Sequence, residues 1–190
     1  MKRISVAFRI FLFFTLLTGI IYPVFVTGMA QIMFPFRANG SLMVKNNQKT
    51  GSKLIGQNFD SAIYFTSRPS AVSYNPLPSG GSNYGLTNEK LKNLVTRRQQ
   101  QFIAFNQLDS LTSIPSEMLF ASASGLDPHI SQMAALLQIN RVSKARNFNQ
   151  AQKQKLIGCI LECTEEPQFL IFGEERINVL LLNLTVDKIR

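Results

Sequence analysis

Three short stretches of this chain carry side chains that could take part in catalysis or ligand binding. Ser122 and Ser124 lie a few residues before His129, the only histidine in the sequence, and serine with histidine is the nucleophile and base pair of many hydrolases. Cys159 and Cys163 are four residues apart, so on a helix their thiols share one face. A glycine-containing segment offers amides and hydroxyls of the kind that cradle phosphate or carboxylate; it consists of Ser79, Gly80, Gly81, Ser82 and Asn83.

Each stretch also has a simpler structural explanation. The serines lack the G-x-S-x-G elbow and precede a predicted helix start, so capping and turn roles explain them better. Gly80 and Gly81 would allow positive φ in a tight turn. Two cysteines and one histidine do not complete a four-ligand zinc site, and a bridge between Cys159 and Cys163 would be strained. We therefore expect no catalytic residue, no metal and no cofactor of its own.

The element expected to hold the rest of the chain in place is an apolar run near the N-terminus. Residues 10–30 carry no charge, 15 of the 21 are apolar, and as a helix they reach about 30 Å, the thickness of a hydrocarbon core. Lys2, Arg3 and Arg9 precede the run without an acid among them, which favours a cytoplasmic N-terminus. We predict a cytoplasmic segment 1–9, a transmembrane helix 10–33 kinked or ended at Pro23, and an exported domain 34–190.

A cleaved signal peptide is the alternative to this anchor. A charged start, an apolar stretch over residues 10–22 and small residues at Gly28 and Ala30 fit that pattern as well. Both alternatives place the remainder of the chain outside the cytoplasm.

The charge of the predicted exported domain is positive but diffuse. It contains all eleven acidic residues and seventeen of the twenty basic residues, which gives a net charge of +6. The basic residues are scattered, with neither a dense run nor interleaved aromatic residues, so a solvated surface explains them better than binding to nucleic acid.

Apolar and turn-forming residues predict the elements of this domain. Apolar residues 42–44 and 54–55 flank a polar stretch, which predicts a β-hairpin. Six prolines and glycines exclude regular structure over residues 68–88, and loops of that length are usually functional or disordered. Helices are predicted over residues 87–107 and 150–161, and strands over residues 169–172 and 177–182. The mixture predicts a small α+β domain behind a single transmembrane helix.

One further helix is predicted from a capping signal. Asp127 is a favoured N-cap and Pro128 a favoured first helical residue, so a helix is expected over residues 128–147. His129 would then be its second residue, where the helix dipole favours a neutral ring that contacts a partner. Arg141 would add positive charge near its C-terminus, together with Lys144 and Arg146.

Six ordered sequence blocks together resemble the C subunit of the bacterial Kdp-type potassium-transporting ATPase. They cover most of the chain, and SGLDPHIS together with RPSA and SGGSN makes the resemblance specific. The blocks are GSKLIGQNF (51–59), YFTSRPSA (64–71), YNPLPSGGSNYGLTN (74–88), SASGLDPHIS (122–131), RVSKAR (141–146) and INVLLLNLTVD (177–187).

The resemblance implies a non-catalytic subunit of the inner membrane that supports assembly of an ATP-driven potassium importer. Its implied partners are a channel-like potassium-binding subunit, a P-type ATPase subunit and a small single-span subunit. It further implies a catalytic chaperone that raises the ATP affinity of the ATPase subunit, and it likens residues 79–83 to a nucleotide contact. An exported domain meets little ATP, so the topology argument favours an indirect effect through the membrane spans.

Two surfaces are expected to contact partners, because they combine length, glycine content and polar tips. They are the loop 68–88 and the turn 122–131. The residues assigned to partner contact are Arg68, Pro69, Ser70, Asn83, Ser124, Gly125, Asp127 and His129. A hypothesis of another class is a free-standing exported module that binds a nucleotide or other anion, and a third is a hydrolase that uses Ser124 and His129.

Overall fold

A computed structural model describes residues 2–45 and 47–189; Met1, Asn46 and Arg190, which the predicted segments include, lie outside the described residues. The chain divides into two compact units, Met1–Thr50 and Gly51–Arg190. Each unit is described by itself.

The first unit consists mostly of one apolar helix. α1 (Lys2–Leu16), a π-helical turn (Leu17–Ile21) and α2 (Tyr22–Met33) follow one another, and a short α3 (Pro35–Ala38) comes next. Arg3–Met33 is long and apolar enough to cross a membrane, and none of its most apolar window is buried within the structure. A helix with the length and apolar character of the predicted membrane-spanning helix is therefore present.

The π-helical turn accounts for how this helix accommodates Pro23. A proline has no N–H to donate, and its ring collides with the carbonyl four residues earlier in a regular α-helix. Here the helix widens over Leu17–Ile21, and the Tyr22 N–H donates to the Leu17 carbonyl five residues earlier. Such turns are a known cause of helix irregularity. The predicted disturbance at Pro23 thus takes the form of a widened turn and the helix continues to Met33.

The second unit has the predicted α+β composition. In its three-stranded antiparallel sheet, the strand Arg176–Asn178 lies between the strands His129–Ile130 and Thr164–Glu165, with Ile177 opposite Ile130 on one side and Thr164 on the other. Its elements in chain order are α4 (Glu89–Asn106), a 3₁₀ helix (Ser116–Met118), β3 (His129–Ile130), α5 (Gln132–Leu136), α6 (Ile139–Ala145), α7 (Gln150–Cys163), β4 (Thr164–Glu165), β5 (Arg176–Asn178) and α8 (Val179–Val186).

Several local predictions are confirmed. Residues 68–88 contain no helix or strand. α4 begins as expected, because the Asn88 side chain accepts the Lys90 N–H at 2.8 Å. α7 begins with a capping box formed by Asn149 and Gln152. The hairpin exists as β1 (Leu42–Lys45) and β2 (Gln48–Ser52), but its second strand ends before the predicted 54–55.

The helix predicted from Pro128 is wrong at its start and in its continuity. Residues 129–130 form β3, and the Pro128 carbonyl accepts the Val179 N–H at 2.9 Å, so pairing with the sheet overrides the local capping signal. Ser131 is the actual N-cap and accepts the Ala134 N–H at 3.1 Å. Two short helices, α5 and α6, replace the single predicted one. The predicted position of His129 in the first turn of a helix is therefore wrong, because His129 lies in a strand.

Both strands predicted near the C-terminus are also wrong. Only Ile177 and Asn178 of the run 177–182 are extended, because Asn178 caps α8 by accepting the Leu181 N–H at 3.2 Å. The leucine-rich remainder is helical, and its apolar character on all sides reflects burial of the helix. Residues 169–172 form a tight turn instead of a strand.

The apolar core lies between the sheet and the surrounding helices. Phe65, which precedes the long loop, is completely buried within it. The helices contribute most of the other fully buried apolar side chains: Ala134, Ala135, Val142, Leu156, Ile160, Val179, Leu182 and Val186.

A buried polar frame, formed by Asn106, Gln138, Arg141 and Asn183, crosses this core. Arg141 is only 4% exposed and has no acidic partner among the described residues. Its guanidinium donates to Asn106 Oδ1, to Gln138 Oε1 and to the carbonyls of Ala62 and Tyr64, at 2.7–2.9 Å. Burial lowers the pKa of Arg141 to about 10. The expected role of Arg141 as a charge near a helix C-terminus is therefore wrong, and Arg141 is instead a buried hydrogen-bond donor.

The frame satisfies the backbone of the segment 62–66, which is not part of any sheet. Asn183 accepts the Phe65 N–H at 2.8 Å and donates to the Phe65 carbonyl at 2.9 Å. Gln138 Oε1 accepts the Thr66 N–H at 2.8 Å. Since buried backbone groups must be paired, these side chains replace the missing strand partner.

Removing the Arg141 guanidinium is expected to destabilise the chain strongly. Arg141→Met leaves two backbone carbonyls and the Asn106 amide oxygen without a donor, and an unpaired buried group costs roughly 1–3 kcal/mol. We expect a loss of about 3 kcal/mol, measured by thermal unfolding of the full chain in detergent. Lys144→Met is the control, since Lys144 is exposed on the same helix, and should change stability by about 0.5 kcal/mol or less. Equal effects of the two variants would contradict the frame.

Candidate functional site

The structure brings three separated segments together on the second unit. Loop residues 68–74, the glycine segment 79–83 and the turn 122–129 contact one another through side-chain and backbone hydrogen bonds. We call this surface the motif face. All residues assigned to partner contact belong to these three segments.

An ion pair joins the loop to the turn. Arg68 lies 2.7 Å from Asp127 Oδ2, and the second oxygen of Asp127 accepts the His129 N–H at 3.0 Å and lies 3.2 Å from His129 Nδ1. Burial raises the pKa of Asp127, but the hydrogen bonds from His129 and Arg68 lower it by more than burial raises it. The pKa of Asp127 is therefore below its ordinary value. The Asp127 carboxylate therefore stays ionised at neutral pH and orients the Arg68 guanidinium and the His129 ring.

Ser70 connects the loop backbone to the turn. Its hydroxyl donates to the Gly125 carbonyl at 2.7 Å and accepts the N–H groups of Val72 and Tyr74. The Tyr74 hydroxyl donates to the Arg68 carbonyl, and burial raises the pKa of Tyr74 to about 12, so this donor keeps its proton. The loop is thus ordered by its own side chains. Pro69, which lies between Arg68 and Ser70, is half-buried.

The glycine segment lies against the turn, with Ser79 and Asn83 exposed. The Gly80 N–H donates to the Ser124 carbonyl at 2.9 Å, so this amide is already paired within the chain. A Cβ on Gly81 would lie 3.2 Å from the Ala123 carbonyl oxygen, so Gly81 permits close approach of two backbones. The expected positive φ at Gly80 and Gly81 is wrong: the left-handed residue of this segment is Asn83, with φ 53°.

The serine and histidine of the hydrolase hypothesis have other partners. Ser124 Oγ accepts the Leu126 N–H at 3.1 Å, and His129 faces Asp127. Among the residues that the structure describes, no hydrogen bond joins Ser124 to His129. This arrangement does not form a serine nucleophile with its base.

The cysteines are free and share one side of α7. Burial raises the pKa of both thiols. Within the described chain, no group of three or more histidine, cysteine or carboxylate residues is placed to hold a metal ion.

Two clefts border Arg68. One has a volume of about 750 Å³ and also includes Tyr74, Arg98 and Asp60; the other has a volume of about 440 Å³ and includes Asp127 and His129. Arg68 Nε is buried without a hydrogen-bond partner, one of two such side-chain atoms in the part of the chain that is described. An unpaired buried donor at a surface of this kind indicates where an acceptor would be stabilised.

Two residues that support the motif face, Tyr74 within it and Gly56 beside it, were not predicted as site residues from the sequence. Tyr74 supports Arg68, as described above. Gly56 lies against the turn, where its N–H donates to the Leu126 carbonyl at 2.7 Å and a Cβ would lie 2.7 Å from the Asp127 carbonyl oxygen. Both residues lie inside the sequence blocks that carry the family resemblance, and this position was the only indication of their importance in the sequence.

Comparison with known proteins identifies close relatives. The sequence model of the family described as "KdpC: K+-transporting ATPase, c chain" matches residues 4–188. Proteins named "Potassium-transporting ATPase KdpC subunit" are similar over nearly their whole length. One from Polynucleobacter asymbioticus is 46% identical over 94% of both chains. One from Leptospira interrogans is 45% identical over 97% of this chain and 93% of the relative, and one from Escherichia coli is 42% identical over 100% and 99%.

Gly125 provides a test of the packing of the motif face. Its φ is +69°, and a Cβ there would lie 2.6 Å from Val72 Cγ2 and 2.9 Å from the Gly80 carbonyl oxygen. Gly125→Ala should therefore destabilise the chain by roughly 1–3 kcal/mol in thermal unfolding. The matched control is Gly85→Ala, because a Cβ at Gly85 meets nothing within 4 Å and φ is not positive. If Gly125→Ala unfolds at the wild-type temperature, the described packing is wrong.

Proposed function

This chain belongs to the KdpC family, the c chains of K+-transporting ATPases, and we propose that within such a complex it is a non-catalytic accessory subunit. The family places it as one subunit of a multi-subunit transporter. The finer role that we propose is support of assembly, together with a chaperone-like increase in the ATP affinity of the P-type ATPase subunit.

One observation carries this proposal beyond the family. Three separated segments converge on the motif face, where Asp127 holds Arg68 and His129 side by side. The described residues of this face include neither a hydrogen-bonded serine–histidine pair nor a group of metal ligands that could carry out a reaction. An ordered polar face with glycine-dependent close approach suits recognition of another protein surface.

We assign the partners from the same resemblance: a channel-like potassium-binding subunit, the P-type ATPase subunit and a small single-span subunit. The positive residues Arg3 and Arg9 before the span support a cytoplasmic N-terminus, with the second unit on the outer side of the inner membrane. On that side the motif face would meet the channel-like subunit near the ion entrance. Any effect on ATP would then act indirectly, through the spans, and not through residues 79–83.

The free-standing anion-binding module remains the alternative, and it makes a different prediction. It requires salt-dependent binding of ATP to a chain without partners, which is lost when Gly80 and Gly81 are replaced. The internal pairing of the Gly80 amide with Ser124 disfavours it, because that donor already has an acceptor.

Truncation of the motif face should reduce assembly. Arg68→Ala and His129→Ala each remove a side chain of the proposed contact and one side-chain partner of Asp127, which keeps the backbone N–H of residue 129. We expect about tenfold less complex after affinity purification of the P-type subunit from native membranes, which corresponds to about 1.4 kcal/mol, with potassium uptake reduced in proportion.

Lys92→Ala is the control for charge removal, since Lys92 is an exposed residue of α4 away from the motif segments. It should leave complex yield and uptake unchanged. Unchanged yield and uptake with both motif-face variants would show that this face is not the partner contact, and recovery of the wild-type chain without partners would refute the accessory-subunit role.

A further inference from the structure

The hairpin formed by β4 and β5 displays apolar side chains at its tip. Thr164 and Glu165 pair with Ile177 and Arg176, and the intervening residues 166–175 form a loop beyond the end of the sheet. Four consecutive large apolar residues occupy the tip of this loop: Phe169 is 85% exposed, Leu170 76%, Ile171 77% and Phe172 66%. We call residues 169–172 the apolar tip.

The conformation of the apolar tip is defined by its backbone. Gln168 and Phe172 exchange both backbone hydrogen bonds at 2.9 Å, and the Leu170 N–H donates to the Pro167 carbonyl at 3.0 Å. Phe169 and Leu170 adopt left-handed backbone angles, with φ 54° and 61°, which bulky residues rarely do. The turn therefore holds apolar side chains outward at positions where glycine or asparagine would be less strained.

The base of the hairpin is fixed by an ionic network. Glu165 lies 2.8 Å from Lys53 Nζ and 3.2 Å from Arg176 Nε. The hydrogen bond from Lys53 lowers the pKa of Glu165, so the network is ionised at neutral pH. A tip that is rigid at its base and turned outward loses little conformational freedom when it is buried against another surface.

Contiguous exposed apolar groups of this kind mark interaction sites in soluble domains. The surrounding charge identifies what kind of surface fits. Glu166, Glu174 and Glu175 flank the tip and are exposed, and none of them belongs to the ion pairs found among the described residues. Anionic lipid headgroups would be repelled by these three carboxylates, and so would the same hairpin of a second copy of this chain.

We propose that the apolar tip inserts into an apolar pocket rimmed by lysine or arginine on another chain of the transporter complex. The tip supplies the buried apolar anchor of this contact, and the three glutamates supply its charged rim, where complementary charges select the partner. This contact is separate from the motif face and rests on the proposed membership of the complex.

Site-specific photo-crosslinking tests the contact in the assembled complex. A benzoylphenylalanine residue replaces Leu170, and in a control chain it replaces Leu111, a leucine of another loop that is 92% exposed. After irradiation of native membranes, Leu170 should give an adduct with another chain of the complex, identified by mass spectrometry, whereas the Leu111 position should give at least tenfold less of it.

Substitutions provide the second readout. Leu170→Asp should lower co-purification of the complex about tenfold, and Glu174→Lys combined with Glu175→Lys should lower it several-fold, while Leu111→Asp leaves it unchanged. Thermal unfolding of the isolated variants should stay close to the wild type, because the Leu170 side chain is 76% exposed.

Three outcomes would overturn the docking surface alone: adducts of Leu170 with lipid, adducts with a second copy of this chain, or an intact wild-type complex without any Leu170 adduct. Failure of the wild-type chain to co-purify with any other subunit would instead overturn the proposed function, and this contact with it.

Discussion

A positive charge that is buried without an acidic partner among the described residues organises the second unit. Arg141 is shielded from water and donates to carbonyl and amide oxygens, while its guanidinium lies 4.3 Å from the centre of the Phe105 ring. Burying an unpaired guanidinium is unfavourable unless its donors are satisfied and its charge is shared among oriented dipoles. That requirement fixes the segment 62–66, because two of the four acceptors are its carbonyls.

The segment 62–66 leads directly into the motif face. Phe65 fills the core and Thr66 is held by Gln138, so Arg68 leaves the core from a defined point, two residues later. The Arg68 side chain then meets Asp127, whose own position depends on the pairing of β3 with β5. The motif face is therefore positioned by the buried polar frame and by the pairing of β3 with β5.

The sequence predicted elements whose signals are local, and it failed where distant residues decide. Composition, caps and prolines predicted the long apolar N-terminal helix, α4, α7 and the irregular loop 68–88. Asp127 and Pro128 are typical of a helix start. In the structure, however, Asp127 pairs with Arg68, and residues 129–130 pair with β5. Spacing placed Arg141 near a helix terminus, and nothing in a single sequence shows that this position lies in the core. Length, glycine content and polar tips predicted the loop 68–88 and the turn 122–131 as two surfaces, but a single sequence does not show that they meet through the Arg68–Asp127 pair.

The buried polar frame holds the motif face in place, and hydrogen exchange in Asn183→Leu measures this dependence. This variant removes the acceptor of the Phe65 N–H at similar volume, and its control is Asn140→Leu at an exposed asparagine of α6. We predict that amides of residues 65–74 and 122–129 exchange about tenfold faster than in the control, since an unpaired buried amide costs roughly 1–3 kcal/mol. Faster exchange confined to α8, with residues 65–74 and 122–129 as protected as in the control, would contradict the account.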